Sequence, residues 1–152
     1  MSTSKFPTFW VLIVALSYLF FSCQDKKEKL PPDFWSCHKA LNPDSSKTHQ
    51  LLLGKWRWNL INCPFGKLQQ DSEIYNGLVV EFRASDSLIV LQNDTITQIG
   101  TWKLRPTSDG LFVIQSNPSV EQLAGRLLIC GNQIEFNESG TDICDNFFTK
   151  VP

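Results

Sequence analysis

The sequence predicts an all-β domain of about eight strands, folded as an antiparallel up-and-down barrel or a strongly curved sandwich. Three observations predict it. From Leu53 onward, short β-like runs are separated by clusters of turn residues. Several of these runs alternate apolar and polar residues, as a sheet with one dry and one wet face requires. Helix signals over the same stretch are few. Closure into a barrel is favoured because it removes the sheet edges that template aggregation.

The runs are Leu53–Asn62, Leu78–Arg83, Ser87–Gln92, Thr95–Leu104, Gly110–Ser116, Arg126–Cys130, Gln133–Asn137 and Ile143–Thr149. Turns are expected at Ala84–Asp86, Asn93-Asp94, Pro106–Asp109, Gly131-Asn132 and Glu138–Thr141. Gly131-Asn132 suits a two-residue hairpin, because glycine takes positive φ without a steric cost. Trp56, Trp58 and Leu60 are expected on one face, opposite Lys55, Arg57 and Asn59. Leu78, Val80 and Phe82 oppose Glu81 and Arg83, and Gly100, Trp102 and Leu104 oppose Thr101 and Lys103. The connection Cys63–Gly77 is too long for a tight hairpin and is expected to fold over one end of the sheet. Two segments are candidates for helix. A short helical piece is expected near Thr48–Leu53, on a weak signal, after a loop at Asn42–Ser46. Ser119–Leu128 places Val120, Leu123, Ala124, Leu127 and Leu128 three and four apart, with Ser119 and Gln122 as a capping box.

Residues 1–22 have the parts of an export signal: Lys5 near the start, an apolar run from Phe9 to Phe21, and a small residue, Ser22, before a cysteine. The run is shorter than the roughly 20 apolar residues a membrane span needs. Leu19-Phe20-Phe21-Ser22-Cys23 resembles the cleavage-and-lipidation box of bacterial lipoproteins, in the aromatic-rich version of Bacteroidota. The resemblance implies that the mature chain starts at Cys23, carrying lipid on its sulfur and amine. Several acyl chains on one residue make a stable anchor where one would bind only marginally. The charged stretch 24–33, stiffened by Pro31-Pro32, is then a tether, and residues 34–152 the folded domain. The mixed charges Asp25, Lys26, Lys27 and Glu28 match the acidic surface-export signal of such lipoproteins poorly. Outer-membrane attachment is therefore expected, on either face.

Charge excludes one class of partner. The full chain carries 14 basic and 15 acidic residues, net −1, and loss of Lys5 with the signal makes it more acidic by one. No basic excess is present to attract nucleic acid. Of five cysteines, commitment of Cys23 to lipid leaves Cys37, Cys63, Cys130 and Cys144. An even set in an exported chain reads as two disulfides.

Leu53-Gly54-Lys55-Trp56 resembles the glycine–x–tryptophan signature on the first strand of lipocalins. The long first loop, Gly100-Thr101-Trp102 in a middle strand, and the closing Asp142–Phe147 strand are similar to the lipocalin-like lipoproteins of Bacteroidota, over roughly Leu51 to Lys150. The chain departs from true lipocalins in having no long helix after its last strand. In such an eight-strand closure the first and last strands pair antiparallel, so the end of the first, Cys63, neighbours the start of the last, Cys144. The Gly131-Asn132 turn falls at the opposite rim, where Cys130 lies near Cys37. Of three possible connectivities, Cys63–Cys144 with Cys37–Cys130 is the one this topology favours.

Catalytic constellations are scarce. His38 and His49 are the only histidines, too few for a three-histidine metal site, and no nucleophile elbow, phosphate loop or zinc-type cysteine pairing occurs. Cys37-His38 are adjacent and seldom could face each other as nucleophile and base. Glu138, Asp142 and Asp145 read as solvated turn acids rather than a calcium site. Asp86-Ser87-Leu88 and Asp94-Thr95-Ile96 resemble the O-glycosylation tripeptide of exported Bacteroidota proteins. The expectation is a non-enzymatic, lipid-anchored envelope protein with no cofactor and no metal, binding a small hydrophobic molecule through Trp56, Trp58, Gly100 and Trp102. The alternative is a structural or protein-interaction module whose barrel is filled by its own side chains. Gly100 is the one clear small inward residue, which points toward a small cavity or none.

Overall fold

A computed structural model describes residues 34–63, 69–70, 77–138 and 143–152. The expected signal 1–22, Cys23, the expected tether 24–33, most of the Cys63–Gly77 connection, the 139–141 part of the expected last turn and Asp142 lie outside the described residues. Two short helices come first. Helix α1, Phe34–Leu41, has Phe34, Cys37, His38 and Leu41 on one side at i, i+3, i+4 and i+7, the spacing that gives a helix one buried face. It ends at Asn42, which takes φ 37° and returns its N–H to the carbonyls of His38 and Lys39 at 3.3 and 3.1 Å. Helix α2, Ser45–Leu52, starts where Asp44 caps it, its carboxylate accepting from the Lys47 N–H at 2.8 Å. The loop expected at Asn42–Ser46 thus shrinks to 42–44. The helical piece expected at Thr48–Leu53 begins a turn earlier, because the cap lies at Asp44.

The strands are β1 Gly54–Asn62, β2 Gln69–Gln70, β3 Leu78–Phe82, β4 Ser87–Gln92, β5 Thr95–Pro106, β6 Phe112–Asn117, β7 Arg126–Cys130, β8 Gln133–Asn137 and β9 Asp145–Val151. They hydrogen-bond in the order β2-β1-β3-β4-β5-β6-β7-β8-β9, and β1 also pairs with β9. Setting aside the two-residue β2, this is a closed, antiparallel, up-and-down barrel of eight strands, as expected. Asn93 and Asp94 both take positive φ, 50° and 61°, as the primed two-residue hairpin between β4 and β5 requires. A 3-10 turn, Glu121–Leu123, bridges β6 and β7; its N-cap is Val120 with no side-chain cap. The expected Ser119–Gln122 capping box does not form, because the turn is too short to need it. Val120 and Leu123 point into the core instead.

The inward side chains form one core running through the barrel. Trp56, Trp102, Phe82, Phe136 and Phe148 are its largest fully buried members. Burial on this scale supplies the main driving force, about 1.5–3 kcal/mol for each large apolar side chain. One expected face is corrected. Trp56 and Trp58 point inward, but a bulge lies between Trp58 and Leu60. One extra residue in a strand reverses the alternation beyond it. Leu60 therefore pairs with Phe147, and Ile61 is the side chain that packs against the core.

The ladder is uneven. β5 and β6 share six residue pairs, whereas β6 and β7 share only Phe112↔Leu127. Beyond Leu127, β7 runs past the start of β6 toward the barrel base. Helix α1 packs on the outer wall at that place: Phe34, Leu111 and Leu128 form a second small core with Cys130 against it, and Phe34 meets Phe147 edge-on at 6.2 Å.

Candidate functional site

The base of the barrel is closed by α2. Leu52 and Thr48 are buried there, and the Leu52 carbonyl accepts the Trp56 indole N–H at 2.6 Å. The Lys150 ammonium lies 5.0 Å from the centre of the Trp56 ring and donates to the Leu51 carbonyl at 3.0 Å. Gly54 sits at φ +113°, with the space of a Cβ already met by the Lys150 side chain at 3.3 Å. Gly54 and Trp56 therefore build a floor, Gly54 by its backbone and Trp56 by its bond to Leu52, with Lys150 of β9 as its cover. His49 of α2 stacks on Trp102 at 4.7 Å and bonds the Asp86 carboxylate at 3.0 Å. Phe82 meets the same indole edge-on at 5.0 Å.

Gly100 faces inward beside these rings, but it does not open a cavity. A Cβ there would lie 2.3 Å from the Asn117 carbonyl oxygen and 2.9 Å from Pro118. The glycine is required because the Asn117-Pro118 backbone crosses that spot. Trp58 stacks near Phe148 at 6.4 Å. Of the four candidate ligand-binding residues, the three tryptophans are thus tied into core packing and the glycine is filled by backbone. Among the described residues, the buried Trp102 indole N–H and the buried Thr48 hydroxyl near the floor have no hydrogen-bond partner.

Both disulfides form in the expected pairing. Cys63–Cys144 joins the end of β1 to the residue before β9, with Cα atoms 4.1 Å apart. Cys37–Cys130 staples α1 to the end of β7, with Cα atoms 5.5 Å apart. Cys37 is therefore no nucleophile, and His38 serves another purpose. The Ile129 N–H, on the part of β7 beyond β6, donates to His38 Nδ1 at 2.9 Å. Burial holds the imidazole below its ordinary pKa, and the Ile129 bond uses the lone pair that protonation would take. The neutral ring thus carries its proton on Nε2.

Next to this seam is an open cleft of about 490 Å³ between α1 and the β5–β6 turn. Trp35, His38 and Lys39 line it from the helix, Asn42 from just beyond the helix end, and Asp109 and Leu111 from the turn. The three helix residues fall at i, i+3 and i+4, on one side of α1. Trp35 is 40% exposed, with the Lys39 ammonium 5.8 Å from its ring centre. The Asp109 carboxylate accepts from the Thr107 hydroxyl, from the Leu111 N–H at 3.4 Å and from Arg126 Nε at 3.1 Å. The Thr107 bond, first among these, holds its pKa below the usual range.

Two acids on the outer wall are buried. Glu135 is 6% exposed between its register partners Leu128 and Phe147, and accepts from Asn137 Nδ2 at 2.8 Å. Desolvation raises its pKa, and the nearby Asp145 adds to the rise. Asp145 caps the strand end, accepting the Glu138 N–H at 2.8 Å. It is a structural acid rather than the solvated one expected. Among the described residues no three His, Cys, Asp or Glu side chains are grouped to hold a metal, and no helix is long and apolar enough to cross a membrane. Thr95 of the second tripeptide is exposed, whereas Ser87 of the first is half-buried and contacts the Ser85 hydroxyl at 2.9 Å.

Closed barrel, plugged base and floor tryptophan together define an eight-stranded antiparallel barrel consistent with a lipocalin-like fold. Comparison with known protein families, curated proteins and solved structures finds no match for the chain.

Proposed function

We propose that the protein is a lipid-anchored, non-enzymatic envelope module whose barrel is a solid scaffold and whose contacts are made on its outer surface. The observation that carries the scaffold reading is the interior: Trp56, Trp58, Phe82, Trp102, Phe136 and Phe148 belong to one continuous core, and backbone occupies the place beside Gly100. Barrels of eight strands have an interior just wide enough to fill with side chains or hold one small ligand, and here side chains do the filling. The anchor rests on the sequence: Lys5, the apolar run and Leu19–Cys23, in the pattern of Bacteroidota outer-membrane lipoproteins. Two disulfides fit an oxidising compartment such as the envelope.

Two experiments test this. Radiolabelled palmitate should incorporate into the native protein and not into Cys23→Ala; equal labelling of both would refute the anchor. Native mass spectrometry of protein extracted from its own envelope should read the lipidated polypeptide alone. A retained apolar molecule would instead support a second reading, a small ligand within the barrel, which the unpartnered Trp102 N–H favours.

A further inference from the structure

We propose that the cleft between α1 and the β5–β6 turn binds a small organic monoanion, a carboxylate carried on a flat apolar body. Its volume, about 490 Å³, lies within the range of small-molecule sites, and such sites pair apolar walls with a few fixed polar groups. Here the apolar surfaces are the exposed Trp35 ring and the Leu111 side chain at 9% exposure. The polar groups are mostly donors. His38 is 6% exposed and its Nδ1 is occupied by the Ile129 N–H. That leaves Nε2–H as the donor its ring can offer the cleft. Asn42 adds an amide at the rim.

The charge balance selects an anion. Asp109, the one carboxylate lining the cleft among the described residues, already accepts from three partners, and Arg126 offsets its charge. Lys39 has no carboxylate partner among the described residues; it hangs over the Trp35 ring. One uncompensated ammonium beside neutral donors suits a single negative charge. A phosphate dianion would leave its second charge uncompensated by the single Lys39 ammonium. The site is also built in advance. Trp35, His38 and Lys39 share one side of α1, and Cys37–Cys130 and the His38–Ile129 bond hold that helix to β7. Pre-organisation of this kind lowers the ordering cost of binding. The inference goes beyond the scaffold reading and holds whether or not Cys23 carries lipid.

The test titrates 2-naphthoate, and its neutral analogue 2-naphthamide, into the disulfide-intact domain, followed by calorimetry and by amide chemical shifts. Naphthoate should bind and shift the Gly110 and Leu111 amides, with naphthamide at least about tenfold weaker, a difference of about 1.4 kcal/mol. Trp35→Ala and Lys39→Glu, both at exposed positions, should each weaken naphthoate by at least about tenfold. Lys55→Glu, on the outer face of β1, should leave it unchanged, and thermal melts would verify that all three variants fold. No naphthoate binding at millimolar concentration overturns the proposal. So does equal binding of acid and amide, binding that ignores Trp35 and Lys39, or shifts centred on Trp102 in the barrel interior.

Discussion

His38 Nδ1 accepts the Ile129 N–H at 2.9 Å across a sequence separation of 91 residues. The bond stands where a sheet partner is missing: β6 meets β7 only at Phe112↔Leu127. A side chain from a helix completes the wall there. Without it the backbone donor would be buried and unpaired. His38→Leu should therefore destabilise the fold by about 1–3 kcal/mol, the cost of an unsatisfied buried polar group, read as a lower urea midpoint. The pH dependence follows from the same bond. The folded pKa of His38 is lowered, chiefly by burial, so its contribution is complete above the unfolded value near 6.5. It is lost as pH falls through the folded pKa. The native protein should lose stability over that acid range, and His38→Leu should lose less.

Glu135 carries the opposite sign. Burial raises its folded pKa above the unfolded value of 4.5, so its contribution is complete below pH 4.5 and is lost as pH rises through the folded pKa. Glu135→Gln keeps an acceptor for Asn137 and removes the buried charge. At neutral pH the variant should be the more stable of the two. The advantage should shrink to nothing as the pH is lowered below 4.5; a constant gap in chemical denaturation across pH 4–8 would contradict this.

Lys150 covers the floor tryptophan. Lys150→Ala removes both the ammonium over the Trp56 ring and the bond to the Leu51 carbonyl, and should cost about 1–2 kcal/mol. Lys150→Arg should recover most of that loss, because a guanidinium can also lie over an aromatic face. Thermal unfolding of the three proteins measures both steps.

Gly100→Ala tests whether the space beside this glycine is filled. The added methyl would stand 2.3 Å from the Asn117 oxygen, a backbone atom that cannot rotate aside. Overpacking of this kind costs about 1–3 kcal/mol. A ligand cavity beside Gly100 would accept the methyl at no cost, so an unchanged melting temperature would argue for the cavity.

The strands were legible because their signals are local. Ser87–Gln92, Arg126–Cys130 and Gln133–Asn137 are short β-like runs bounded by residues suited to turns, and the strands keep those bounds. The disulfides followed once a closed strand order was assumed, since antiparallel closure alone brings Cys63 to Cys144 and Cys37 toward Cys130. The sequence marks Phe34–Cys37 only as the start of the folded part, although Trp35, His38 and Lys39 carry an i, i+3, i+4 spacing. Eight residues give a weak helical signal, and this helix holds because it is stapled and packed onto β7. The cleft was missed for the same reason: half of it belongs to a turn some 70 positions away.

The chain's own pattern of apolar alternation, turn residues and cysteines was thus enough to determine an up-and-down barrel with a disulfide at each rim. Only the tertiary structure decided what its singular residues do. It decided that Leu60 leaves the core, that Gly100 makes way for Asn117 and Pro118, that the three tryptophans pack within one core, and that His38 mends a gap in the wall. Alternation depends on near neighbours and the backbone's period of two. Those other roles depend on which atoms meet across the barrel, after a bulge and an incomplete seam have set the register.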